Sequence, residues 1–420
     1  MINLIIYNKF LNRLCHICVF LLIAVFSSFS SNAALQPQLE DTPYVILVSI
    51  DGFRQEYLKQ YKPPYLSKQL LKTSPTTALV PVFPSSTFPN HLSLVTGQYP
   101  ENHGIIDNTF YDQTTKKSFT LADPQSVRDH RWYEGEALWT SLKKLGVPSA
   151  SFFWPGSDVF SRHKRPTYSR VYRKNASHKE MIEQMITWLN LPAKERPHFL
   201  TLYFSSVDMA GHKFGPNSLQ VREAIHKVDG SIATLDAKLQ QLPFATNLIV
   251  VSDHGMSSVS PENILHLPAS LQNSSDFIVR GGGTLIHLYK KHQRKHVEIP
   301  PALQKIKGLK IYSTQESPEV YHYKKHKNIG DYIIEAQYPY YMVGKQSSAH
   351  APPKGAHGYD PQNPKMHGIF LTRGPKIKSG FKIPPFEIIH IYPFILKLLN
   401  LPIHKNIDGD KDFLANLLLK

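Results

Sequence analysis

A chain of 420 residues, 41% apolar and 11% aromatic, can bury one large core or two ordinary ones and fits a globular protein. Its two cysteines, Cys15 and Cys18, both fall in an N-terminal leader, which excludes disulfides, thiolate ligands and a thiol nucleophile from the mature chain and leaves His, Asp and Glu to hold any metal. The formal charge of +16, or +14 without Lys9 and Arg13 of the leader, favours anionic and phosphorylated partners; the basic residues are dispersed, and no helix-turn-helix, zinc-finger or RNA-recognition signature accompanies them.

Lys9 and Arg13 precede an apolar run from Ile17 to Phe26, and Ser31-Asn32-Ala33 resembles a cleavage site. The run is short against the roughly 20 residues of a membrane span, so residues 1–33 read as a signal peptide, and the mature chain as secreted or periplasmic without a span. Tyr44 to Ile50 is a β-branched apolar run that ends at Asp51-Gly52, a buried strand feeding a turn. An amphipathic segment follows at Pro64 to Leu71, then a second strand at Leu79 to Phe83. Next, Ser85-Ser86-Thr87 stands ahead of an apolar run that ends in Gly97. That pattern predicts a helix capped by Ser86 or Thr87, tolerant of Pro89 in its first turn and stopped at Gly97.

Thr87 then has two readings. It is a capping residue, or it is a nucleophile at the positive end of a helix dipole. The dipole alone is too weak to ionise a threonine, so the second reading requires a metal site elsewhere in the chain. Helices are predicted at Glu134 to Leu145, His178 to Leu191, Ser218 to Leu242 and Pro384 to Leu401, with strands at His198 to Phe204 and Asn247 to Val251. Strands alternating with helices predict an α/β fold with a doubly wound, mostly parallel sheet. Residues from about 277 to 342, with Gly281-Gly282-Gly283 and short apolar runs, read as a small α+β insertion.

Asp51, Asp208 and Asp253 each follow an apolar strand, and in open α/β sheets ligands bind beyond the carboxyl ends of the strands. Asp208 and His212 are four apart, close enough to face one ion on a helix, and His254 adjoins Asp253. His357, flanked by Gly355 and Gly358, is a further candidate, with His367 and His103 as rivals.

The segments Ile50-Asp51-Gly52-Phe53-Arg54, Thr87-Phe88-Pro89-Asn90-His91, Val95 to Ile105, Asp208-Met209-Ala210-Gly211-His212, Ser252-Asp253-His254-Gly255-Met256 and Gly355-Ala356-His357-Gly358-Tyr359 resemble, in order, the nucleotide pyrophosphatase/phosphodiesterase family of the alkaline phosphatase superfamily. The resemblance covers nearly the whole mature chain, and makes residues 34–420 one alkaline phosphatase-like phosphodiesterase domain. It implies two zinc ions, one held by Asp208, His212 and His357, the other by Asp51, Asp253 and His254 together with the nucleophile Thr87. Such a pair clamps the attacking and leaving oxygens of an in-line displacement and activates the threonine. It also implies that Asn108 contacts the phosphoryl group. Family members often carry Pro where Val207 stands; Val cannot ligate, so the site is unaffected.

The expected activity is hydrolysis of phosphodiester or pyrophosphate bonds of nucleotides to a nucleoside 5′-monophosphate through a phosphothreonine. A monoesterase needs cations beside the metals for the extra charge, and the motifs place none there. Phe88 directly follows the nucleophile, and Tyr168 resembles the family's second aromatic wall, so the two rings are expected to sandwich a base. The competing expectations are a phospholipid-type phosphodiesterase, a monoesterase or phosphonoacetate-type hydrolase on the same scaffold, and a polyanion-binding protein with a vestigial site.

Overall fold

The structure is a computed structural model that describes residues 42–70, 78–292, 299–344 and 351–419; the leader lies outside these. A central sheet takes its strands from along the whole chain: β1 (Tyr44–Ile50), β2 (Ser149–Phe152), β3 (Tyr168–Arg170), β4 (Phe199–Phe204) and β5 (Thr246–Val251), with β10 (Phe370–Arg373), numbered after the four strands of a separate sheet described below, closing it. The order across the sheet is β10-β5-β1-β4-β2-β3. Every neighbouring pair is parallel except β10 with β5.

Alternation along β1 explains the layers. Val45 and Leu47 point into one apolar cluster, Ile46, Val48 and Ile50 into another. The first cluster is covered by α1 (Thr87–Thr96), α2 (Leu138–Lys144) and α6 (Ile391–Leu398); the second by α3 (His178–Leu189), α4 (Ser206–Phe214) and α5 (Leu219–Leu239). In α5 the buried positions Val221, Ile225, Val228, Ile232, Leu235 and Leu239 recur every three or four residues, the stripe of a helix laid on a sheet. Helices on both faces of a mostly parallel sheet make the fold α/β and doubly wound.

Residues Phe277–Gly282 (β6), Leu285–Lys290 (β7), Leu309–Ser313 (β8) and Tyr332–Ala336 (β9) form a separate antiparallel sheet in the order β6-β7-β9-β8. It closes over its own apolar cluster, with Leu288 and Ile334 at its centre.

Some elements differ from the sequence expectation. The run Leu79 to Phe83 is no strand of the central sheet: only Leu79–Val80 pairs, with Phe386–Glu387. Pro81 has no N–H to donate, and Val82 N donates to the Asn90 side chain at 2.7 Å instead. The helix expected from Glu134 starts at Leu138, and the one expected over Pro384 to Leu401 is confined to α6, because two successive prolines, Pro384 and Pro385, keep the chain extended into Phe386–Glu387. The segment near Pro64 contributes one π-type turn, Leu66–Leu70, whose entry is held by Asp229 accepting from the N–H of Tyr65 and Leu66.

Candidate active site

The site lies at the carboxyl ends of β1, β4 and β5. Asp51 follows β1 directly, Asp253 stands two residues after β5, and Asp208 lies in the first turn of α4, which leaves β4. Gly52 makes their approach possible. It holds φ at +67°, and a Cβ there would sit 3.0 Å from Asp208. Gly355 similarly lets the His357 segment meet the Gly211 carbonyl on α4, where a Cβ would lie 2.5 Å away.

The converging atoms form two groups. The ligand atoms of Asp51, Asp253 and His254 lie within 4.8 Å of one another, as do those of Asp208, His254 and His357. His254 stands between them: its Nε2 is 3.4 Å from Asp51 Oδ1, 3.1 Å from Asp253 Oδ2 and 3.2 Å from Thr87 Oγ1. Its ring stacks on that of His357 at 3.7 Å. Asp208 Oδ1 is 3.3 Å from His212 Nε2 and 3.7 Å from His357 Nε2. His212 is one helical turn beyond Asp208 on α4, the arrangement that the spacing of four predicts.

The hydrogen bonds around the three histidines test whether this set fits metal ions. Each Nδ1 faces a backbone carbonyl: His254 that of Gly255 at 2.9 Å, His212 that of Gly355 at 2.8 Å, His357 that of Ser85 at 2.9 Å. A carbonyl only accepts, so each Nδ1 carries a hydrogen and, in the neutral ring, each Nε2 turns a lone pair inward. The buried Asp51 Oδ1 and Asp253 Oδ2 accept no well-aligned hydrogen bond among the described residues. Burial, then the charges of Asp253 and Asp208, pushes the Asp51 carboxyl well above its ordinary range; burial, then Asp208, does the same to Asp253. Burial pushes His254 down to about 3 and His357 well below its usual value. Burial also opposes charge on His212, but the adjoining Asp208 prevails and raises it to about 9. Asp208 is correspondingly held low, with His212 and His357 outweighing its burial. Crowded carboxylates with unspent oxygens and imidazoles with inward lone pairs fit divalent cations bound by oxygen and nitrogen.

Thr87 opens α1, with Ser86 as the capping position and Gly97 ending the helix at φ +66°. Neither Ser86 nor Thr87 makes the side-chain capping bond: Ser86 has none, and the Thr87 hydroxyl faces His254. Asn108 Oδ1 accepts from the Phe88 N–H at 3.0 Å, which seats the amide against the first turn of α1; its Nδ2 has no partner among the described residues. The Phe88 ring is half-buried and packs edge-on against Phe119 at 5.8 Å.

Tyr168 lies elsewhere. On β3 it is level with Ala150, and through β4 with Ile46, four residues before the end of β1 and about 13 Å below the carboxyl edge. Its ring stacks on Trp188 and its hydroxyl donates to the Glu195 carbonyl at 3.1 Å. The ring that reaches the edge is Tyr172, 46% exposed, 6.4 Å from the Tyr203 ring and 3.4 Å by its hydroxyl from Ser205 Oγ. Of the rival histidines, His103 spends both ring nitrogens away from the site, on Ser93 of α1 and on the Ile105 N–H, and His367 bonds the Pro361 carbonyl.

Two supporting residues, Tyr203 and His91, were given no role by the sequence reading. Tyr203, inside the apolar strand β4, donates its hydroxyl to Asp51 Oδ2. His91 places Nδ1 2.8 Å from the Thr87 carbonyl and 3.2 Å from Asp253 Oδ2, and its Nε2 meets Ser49 Oγ at 2.9 Å. His91 sits four residues after Thr87, on the same helix face, which is the one hint the sequence holds.

The family model described as type I phosphodiesterase / nucleotide pyrophosphatase matches residues 45–360. An uncharacterized pyrophosphatase/phosphodiesterase of Schizosaccharomyces pombe is 33% identical over 380 residues, covering 86% of this chain and 78% of that one. Human ectonucleotide pyrophosphatase/phosphodiesterase family member 1 is 34% identical over 373 residues; the match takes in 86% of this chain but 40% of the human protein. Among solved structures, murine ectonucleotide pyrophosphatase/phosphodiesterase 5 superposes with a TM-score of 0.83 at 30% identity, over 90% of this chain and all of that one. An inactive threonine-to-alanine variant of the murine protein, in complex with AMP, superposes equally well at 29% identity.

Proposed function

Because the chain belongs to the type I phosphodiesterase / nucleotide pyrophosphatase family, we propose that it is a secreted or periplasmic two-zinc hydrolase that cleaves nucleotide phosphodiester or pyrophosphate bonds to a nucleoside 5′-monophosphate. The observation that carries this reading is the gathering of two buried carboxylates, Asp51 and Asp253, the half-buried Asp208 and three histidines beside the start of α1, where the Thr87 hydroxyl meets His254. Among the described residues no helix is long and apolar enough to cross a membrane, which is compatible with that address.

Asp208, His212 and His357 would hold one zinc, and Asp51, Asp253 and His254 the other. Zinc supplies positive charge that lowers the pKa of a hydroxyl and offsets the charge that develops on a displaced oxygen. Thr87 Oγ1 forms a bond to phosphorus as the bond from phosphorus to the leaving group breaks, giving a phosphothreonine. Water then cleaves that ester, restoring the hydroxyl and releasing the nucleoside 5′-monophosphate. The amide of Asn108, held by the Phe88 N–H, donates to a phosphoryl oxygen without adding charge. Tyr203 keeps the Asp51 carboxylate turned to its task by a hydrogen bond, while His91, bonded to the Thr87 carbonyl, packs beside Asp253. Phe88 and Tyr172 offer ring faces at the mouth, of which Tyr172 takes the place expected of Tyr168. The AMP bound by the murine threonine-to-alanine variant supports a nucleotide as the ligand class.

The test is product analysis with zinc-reconstituted protein. The expected result is AMP and pyrophosphate from ATP, with simple monoesters and lysophospholipids much slower. Thr87→Ala should remain folded and lose several orders of magnitude in turnover, as removal of a covalent nucleophile does. Faster cleavage of a phospholipid than of ATP would reject the nucleotide reading.

A further inference from the structure

The separate antiparallel sheet reaches the catalytic loop through one face of β7. His287 and Tyr289 are two residues apart on that strand, so their side chains project the same way. Both are fully buried, and they grip the chain on either side of Asn108.

On the near side, Asp107 Oδ1 accepts from the Asn108 N–H at 2.7 Å, and Asp107 Oδ2 lies 3.7 Å from His287 Nε2. The Gly330 N–H donates to His287 Nδ1 at 3.3 Å, so the hydrogen of the neutral ring is on Nε2. Tyr323 donates its hydroxyl to the Ile106 carbonyl at 2.7 Å and meets His287 Nε2 at 3.4 Å with its oxygen. Nε2–H therefore points between the Tyr323 oxygen and the Asp107 carboxylate. On the far side, the Tyr111 N–H donates to the Tyr289 hydroxyl at 3.0 Å, and that hydroxyl donates to the Asn328 carbonyl at 2.8 Å. The Asn108 side chain makes one protein hydrogen bond among the described residues, to the Phe88 N–H, so its aim depends on how its backbone is held.

We propose that His287 is a positioning residue for Asn108, and that the antiparallel sheet serves the reaction by clamping residues 106–111 from one face of β7. The inference rests on the reading of Asn108 as the phosphoryl contact. His287 touches no reacting atom. Its effect passes through Asp107 and the Asn108 backbone, and it should act on turnover more than on substrate capture, because a misaimed donor costs most where charge develops.

The experiment measures kcat and KM for ATP with the zinc-loaded full chain. His287→Leu is expected to lower kcat about tenfold with little change in KM, the scale on which a small misplacement acts. His287→Gln, whose amide keeps a donor where Nε2–H stood, should recover most of that loss. The double variant Asn108→Ala/His287→Leu should be no slower than Asn108→Ala alone, since residues acting through one group do not add. A purely structural role would lower both by the same factor. If His287→Leu does not fold, Tyr289→Phe enters the same comparison. A slow Asn108→Ala with normal turnover in the β7 variants, or with losses that multiply in the double variant, overturns the positioning role alone. Wild-type turnover in Asn108→Ala overturns the phosphoryl contact, and the positioning role with it.

Discussion

Asp253→Asn is expected to stabilise the metal-free protein and to weaken the zinc-loaded one. Asp253 and Asp51 are buried, and their ligand atoms lie within 4.8 Å of each other and of His254. Two unit charges at that separation repel by about 3 kcal/mol at an effective dielectric constant of about 20. Proton uptake relieves part of this in the metal-free state, so about 1–2 kcal/mol is the expected gain when Asn replaces one charge. Asn also keeps the acceptor for the Gly52 N–H, which reaches Asp253 Oδ1 at 3.2 Å. For a domain of this size the gain raises the melting temperature by a few degrees. The pH dependence has a definite sign. Both carboxyls are raised on folding, by burial first and by their acidic neighbours next, so at these two groups the folded protein holds more protons than the unfolded chain. Their contribution to the stability of the metal-free wild type is therefore fully present below the ordinary carboxylate range and is lost as pH rises through the raised values. Asp253→Asn should flatten that loss. Thermal unfolding followed by circular dichroism, in chelator and in excess zinc from pH 5 to 8, reads both effects. If the variant melts below wild type in chelator at every pH, the carboxylates are not in conflict and the argument for a cation between them fails.

Tyr172→Ala is expected to raise KM for ATP severalfold, whereas Tyr168→Ala, about 13 Å from the carboxyl edge, should leave it unchanged; equal effects in steady-state kinetics would contradict the strand register. Phe88→Ala should raise KM for nucleotides while sparing a small aryl phosphodiester, and equal losses on both substrates would mean the ring serves packing alone.

What the sequence discloses depends on burial. β1, β4 and β5 lie in the middle of the sheet, covered on both faces, and so read as mainly apolar runs, each carrying only one or two polar residues. β2 is equally buried but carries Ser149 and Ser151; the Thr201 hydroxyl donates to Ser151 Oγ at 2.8 Å, a polar contact between strands that no hydropathy pattern discloses. The edge strand β3 has three residues, one of them an exposed arginine, and carries no run at all. The same logic governs the site. An Asp after an apolar run announces the end of a strand, so Asp51, Asp208 and Asp253 stood out. Tyr203 read as one more apolar residue of its strand, although its hydroxyl meets Asp51. Tyr168 and Tyr172 are four residues apart with similar surroundings in sequence, and only the register of β3 against β2 tells which ring reaches the edge.

The central claim is that these seven residues form a two-zinc centre around a threonine nucleophile. Crystals grown with zinc and measured across the zinc absorption edge test it directly. The expected anomalous difference map has two peaks per chain, one among Asp208, His212 and His357, the other among Asp51, Asp253, His254 and the Thr87 hydroxyl. A map with no peak between these residues, or with zinc bound only elsewhere, would contradict it.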